Sequence, residues 1–355
     1  MINKNNLCFY MGYSRPFNGK NYDNKNVYGS EISAIKLAET LSDIYNVYIF
    51  IFNLSEEDEI IYNNVSYLNM NKLYDFTNID IMIVVRYINY FIYFKNIAKK
   101  TFIWLHDVIP HPTYKGITLS SNGDNLLYNL NKSYDKIIVL SDYQLYNNLN
   151  YINLSIDKYS IINNIIDTKY YKPDIPIIKN RFIYTSDISC GLDLLIDCLL
   201  FIQNTIPDIS LVVFRIKDFT ESIITKLNKL NNVIIYGKET QDVVAKEFLQ
   251  AEYFFYPAHF CETFSNSAAE AAQLYNTVCI YNNIASLSAT IGDRGLPINY
   301  DLNDINYIEK TCSDVIDLMN NTHKKNDFII RGHQWAKKHN KEYIKCKWLD
   351  LFTSI

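Results

Sequence analysis

Short apolar runs separated by amphipathic stretches recur through both halves of this chain. That alternation leaves few folds open, because apolar strands of this kind are buried on both faces of a parallel sheet and are joined by helices. In the first half Leu7–Met11, Val47–Phe52, Ile79–Val85, Thr101–Leu105 and Lys136–Leu140 are expected to be strands. The second half restarts with Phe182–Thr185, Leu211–Phe214, Val233–Tyr236, Tyr253–Tyr256 and Thr277–Tyr281. Ile32–Ile44 carries Ile32, Ile35, Leu37, Ala38 and Leu41 near helical spacing, directly after Gly29-Ser30-Glu31. At 355 residues the chain exceeds one ordinary core, so two α/β domains are expected. They are drawn as residues 1–170 and 171–330, with Lys172-Pro-Asp-Ile-Pro176 as linker and 331–355 as a helix returning to the first domain. Doubly wound domains bind ligands at the carboxyl ends of their strands, and every segment singled out below follows an expected strand.

Bulk properties remove several function classes. A net charge of −4 and a pI near 5.9 argue against a nucleic-acid partner, whose phosphates call for a basic surface. Seven cysteines without a Cys-x-x-Cys pair read as free thiols in a reducing compartment, not as a disulfide frame or zinc site. The opening apolar stretch is too short for a signal peptide, and no run approaches the ~18 apolar residues of a spanning helix, so a cytoplasmic location is expected. Contact with a membrane surface stays open, as does the oligomeric state. The excess of Asn, Ile and Lys reads as compositional drift, and no chemistry is assigned to it.

The densest chemistry lies in Tyr256-Pro-Ala-His-Phe-Cys-Glu262-Thr-Phe-Ser-Asn-Ser-Ala-Ala-Glu270. An apolar run leads through Pro257 into a polar turn and then a helix-like stretch of small residues, which puts one carboxylate on a loop and the other in a helix. Backbone N–H groups of Thr263, Phe264 and Ser265 are expected at that helix start, where unpaired donors and the positive dipole end suit a phosphate. Capping or ion pairing at a helix start is the plainer role for the two carboxylates. His106 and Asp107 follow the Thr101–Leu105 run, where the imidazole suits a sugar hydroxyl and Asp107 suits orienting it; a capped loop His is the alternative. Gly29-Ser30-Glu31 reads either as a backbone approach to a ligand or as a plain turn in which Ser30 caps the next helix.

Taken together, these segments resemble the family-4 glycosyltransferases, retaining enzymes with the two-domain GT-B fold. The resemblance runs from Gly29-Ser-Glu through Trp104-Leu-His-Asp107, Val139-Leu-Ser-Asp142, Asn163-Asn-Ile-Ile-Asp167 and Gly191-Leu-Asp-Leu-Leu195, and is densest from Tyr236-Gly to Gly295. It implies that Glu262 faces the donor sugar and that Glu270 accepts the ribose hydroxyls of a nucleotide. It also implies that His106 lies at the sugar's far edge, and that the backbone at Gly29 and at Thr263 to Ser265 approaches the diphosphate or the sugar. No metal and no cofactor are expected; the partners implied are a UDP- or GDP-sugar and a saccharide or glycoconjugate acceptor.

One departure stands out. The loop Thr185-Ser186-Asp-Ile-Ser-Cys190-Gly191 carries Cys190 where such enzymes often place a basic residue before Gly-Leu. Lys217, Lys238 and Arg15 are the candidates to replace the missing charge, and Ser186 of this loop is expected to bind substrate. The departure motivates a second expectation, a donor-binding subunit without turnover. A sugar-nucleotide epimerase on the same fold is a third.

Overall fold

Runs of Ile, Val, Phe and Tyr with no polar face can only be satisfied in the middle of a sheet, and that is where the longest of them lie. The computed structural model describes every residue except 1–3, 22–26, 95–96, 109–112, 115–116, 119–131, 173, 215–217, 270–273 and 300–303. By contact the chain divides into two units, Met1–Ile165 with Lys341–Ile355, and Ile166–Asn340. These boundaries fall at 165/166 and 340/341, not at the expected 170/171 and 330/331.

The first unit contains β1 (Asn6–Tyr10), β2 (Asn46–Ile51), β3 (Ile60–Tyr62), β4 (Val65–Asn69), β5 (Ile79–Val85), β6 (Ala98–Trp104), a short ladder of β7 (Thr113–Tyr114) and β8 (Ile117–Thr118), β9 (Lys136–Val139) and β10 (Tyr159–Ile161). Its eight-stranded sheet has the order β10-β9-β6-β5-β1-β2-β4-β3, parallel except at β3. The strand order reverses between β1 and β5, so the loops after those two strands flank a topological switch point.

The second unit contains β11 (Ile178–Tyr184), β12 (Ser210–Phe214), β13 (Val233–Tyr236), β14 (Ala251–Tyr256), β15 (Val278–Asn282) and β16 (Gly295–Ile298). Its six-stranded parallel sheet runs β13-β12-β11-β14-β15-β16, with the switch between β11 and β14. Central positions such as Phe182, Ile183, Phe254 and Phe255 are fully buried, whereas Ile234 and Ile235 on the edge strand β13 are exposed.

Every run read as a strand is one; Ile79–Val85 and Val233–Tyr236 keep their ends, and the others shift by one to four residues at an end. The helix expected over Ile32–Ile44 spans Gly29–Leu41 instead. Ser30 therefore does not cap it: Tyr28 holds the cap position, and Ser30 lies in the first turn with its hydroxyl on Glu31 Oε2 at 3.1 Å. The tail forms two helices, Thr322–Lys337 and Lys341–Thr353. Among the described residues, no helix is long and apolar enough to cross a membrane.

Candidate functional site

Two loops meet at the switch point of the second unit. One is Thr185–Gly191 after β11, the other Pro257–Ser265 after β14. Gly191 has φ 100° and ψ 17°, and a Cβ built there would stand 2.3 Å from the Pro257 carbonyl oxygen. Only glycine permits that approach. Gly191→Ala is expected to cost about 3 kcal/mol from left-handed strain and overlap together, read as a lowered urea midpoint; an unchanged midpoint would contradict the packing.

Tyr256 closes β14 with its ring 1% exposed. Its hydroxyl donates to Glu262 Oε1 at 2.7 Å, and Ser186 and Cys190 from the other loop lie within electrostatic reach of it. Burial pushes the Glu262 carboxyl above its ordinary value, and the Tyr256 hydrogen bond opposes that rise. Burial first, then the Glu262 charge, pushes the Cys190 thiol up. Glu262 Oε2 has no hydrogen-bond partner among the described residues.

The loop carrying Glu262 is pinned through its carbonyls. Asn282 Nδ2 donates to Ala258 O at 3.0 Å, while Asn282 Oδ1 accepts from the Tyr307 hydroxyl at 2.9 Å. The Ser286 N–H donates to Glu262 O at 3.3 Å, and Thr290 Oγ1 to Phe264 O at 2.7 Å. Phe264 is buried, its ring stacked on Trp335 at 6.3 Å, so its side chain anchors the loop. Helical backbone begins at residue 266. Ser265, at φ 61°, sits at the cap with its hydroxyl 3.5 Å from the Ala268 N–H. Of the three residues expected at the helix start, Ser265 is there and Thr263 and Phe264 precede it.

In the first unit His106 and Asp107 lie by Arg86, which follows β5 at φ 67°. Its guanidinium donates to both Asp107 oxygens, at 2.5 and 2.9 Å, a bidentate pair that commits this carboxylate to Arg86. Glu31, just after Gly29 and Ser30, also lies within electrostatic reach of Arg86. His106 packs on Trp104 at 4.5 Å; burial, with Arg86 nearby, lowers its pKa to about 3, so the imidazole is neutral. The fully buried Gln144 holds this turn, donating to Asp107 O at 2.8 Å while accepting from the Leu140 N–H at 2.7 Å.

No known family profile and no curated protein matches the sequence. Solved structures do. A glycosyltransferase from Rickettsia africae superposes with TM-score 0.74 at 13% identity, over 99% of this chain and 98% of the other. HepE from Anabaena, solved with UDP and glucose, gives 0.74 at 13% over 99% and 100%. A mutant of TarM from S. aureus, solved with UDP, gives 0.60 at 16% over 84% of this chain, which spans only 57% of TarM. The fold is that of the GT-B glycosyltransferases.

Within this GT-B fold the second unit brings together Glu262, Ser186 and the turn from Thr263 to Ser265. Lys238 lies apart from them, on the loop after the edge strand β13. Glu270 and Lys217 lie outside the described residues. His106 and Asp107 share the Arg86 neighbourhood of the first unit, while Gly29 and Ser30 open the helix that carries Glu31. Among the described residues, no group of three or more His, Cys, Asp or Glu is placed to hold a metal ion. Sequence reasoning missed Tyr256 and Arg86 as site residues. Tyr256 is hidden in an apolar run, though a hydroxyl at the last position of a buried strand is a usable signal, as is an Arg ending the apolar run of β5.

Proposed function

We propose that the protein is a retaining glycosyltransferase that moves a sugar from a UDP- or GDP-sugar to an acceptor hydroxyl on a saccharide or glycoconjugate, without a metal ion. The observation that carries this reading is Glu262, a loop carboxylate fixed at the switch point of the second sheet with one oxygen held by Tyr256. Support comes from the fold shared with HepE and TarM, both solved with UDP. In this reading Glu262 supports positive charge as it builds at the anomeric carbon, and Glu270 takes the ribose diol. The helix start at Ser265, with Ser186 and Lys217, meets the diphosphate as it departs with the bonding electrons. That phosphate takes the acceptor's proton. His106, neutral and able both to donate and to accept, is assigned to a sugar hydroxyl. A cytoplasmic location belongs to the same proposal, supported by cysteines that are all free thiols.

A second reading, a donor-binding subunit without turnover, is favoured by the uncharged Cys190 thiol beside Glu262. Incubation with a panel of UDP- and GDP-sugars in the presence of EDTA separates the two. Release of nucleoside diphosphate supports the transferase; a thermal shift without release supports the silent subunit. A donor at 100 times its dissociation constant stabilises by ~2.7 kcal/mol, ample for detection. A panel that produces neither response contradicts both.

A further inference from the structure

We propose that Tyr256 is the positioning residue for Glu262: its hydroxyl holds Oε1 and thereby leaves Oε2 as the oxygen offered to a ligand. The proposal rests on reading Glu262 as the donor-facing carboxylate. A glutamate on a loop has three side-chain torsions to fix, and an immobile donor removes most of that freedom at little cost. Tyr256 meets the requirement. It is the last residue of β14, its ring is 1% exposed and stacked on Phe254 at 5.5 Å, and its hydroxyl stands 2.7 Å from Oε1. Ser186 and Cys190 lie within electrostatic reach of the same hydroxyl from the loop after β11, which Gly191 locks against Pro257. Both loops of the switch point thus converge on one hydroxyl, and through it on one carboxylate.

The arrangement has a titration signature. Burial raises the Glu262 carboxyl, while the Tyr256 hydrogen bond stabilises the charged form and lowers it. Among the described residues, the titratable groups facing Glu262 are Tyr256 from β14 and Cys190 from the loop after β11; both are pushed up, so both stay uncharged near neutrality. Removing the hydroxyl removes the lowering influence of that hydrogen bond. The Glu262 midpoint then moves upward, and the acid limb of any activity that needs the carboxylate moves with it.

The test is carbon NMR of the full chain labelled at the glutamate side-chain carboxyl, with Glu262 assigned by the signal lost in Glu262→Gln. Tyr256→Phe removes one oxygen and keeps the ring, and is expected to raise the midpoint by about one pH unit. Placing 3-fluorotyrosine at position 256, a more acidic donor of nearly the same shape, is expected to lower it. A residue that only fills space moves neither. Midpoints that stay put in both variants overturn the inference. With a donor that turns over, Tyr256→Phe is expected to reduce kcat about 10-fold at neutral pH with KM little changed. If donors bind and turn over but both midpoint and kcat are unaffected, the inference about Tyr256 fails alone. If no UDP- or GDP-sugar binds the wild-type chain, the functional reading fails, and the ligand-facing role of Oε2 with it, whatever the titration shows.

Discussion

Glu262→Gln is expected to lower the rate of nucleotide release from the donor by about 100-fold or more, with a far smaller change in donor KM. The substitution keeps the size and one oxygen of the side chain, so the Tyr256 hydroxyl retains an acceptor and the loop pins from Asn282, Ser286 and Thr290 are untouched. What disappears is a negative charge in a half-buried, low-dielectric place. Loss of one preorganised electrostatic partner of a charged transition state costs on the order of 3 kcal/mol. Because positive charge at the anomeric carbon builds only as the leaving group departs, the loss falls on kcat and not on ground-state binding. Initial rates with the donor that responds in the panel decide the matter, and an unchanged kcat would remove Glu262 from the mechanism.

Trp348→Ala is expected to destabilise the first unit by about 4 kcal/mol, the range for emptying a buried Trp site. The last helix belongs to that unit although it follows the second in sequence. Trp348 is fully buried, edge-on to Trp104 at 5.3 Å and beside Phe352 at 5.6 Å; Phe352 in turn meets Phe102 at 5.2 Å and Tyr45 at 6.0 Å. Lys100 Nζ donates to Phe352 O at 2.6 Å, and Lys345 pairs with Asp43. By comparison the Lys345–Asp43 pair is exposed at its acidic end and contributes at most about 1 kcal/mol. Urea unfolding followed by hydrogen exchange should therefore show loss of protection in β1, β5 and β6, while β11 and β14 keep theirs. Equal loss in both units would contradict the assignment of this helix to the first.

The central strands were legible because burial on both faces forces an unbroken apolar run, as in residues 81–85 of β5 and 253–256 of β14. The strands that escaped notice are those on which burial makes weaker demands. Val65–Asn69 alternates buried and half-buried residues next to the exposed β3, and Tyr159–Ile161 is a three-residue edge. Gly295–Ile298 carries a Gly and a Pro, residues that argue against a strand in a sheet's interior. As an edge strand paired with β15 alone, β16 has room for a proline without an N–H. Glu262 was legible because a charged residue in a polar turn after an apolar run is conspicuous. Tyr256 was not, since its ring satisfies the core and only its last atom serves the site. The Arg86–Asp107 pair joins residues from two loops, and sequence proximity carries no sign of it.

Calorimetric titration of UDP, GDP and their sugars into the wild-type chain and Glu262→Gln tests the donor-site assignment most directly. The account predicts saturable binding of one nucleotide series, with affinity for the bare diphosphate preserved in Glu262→Gln and the additional contribution of the sugar diminished. Absence of heat with every nucleotide, or an identical sugar contribution in both proteins, would contradict it.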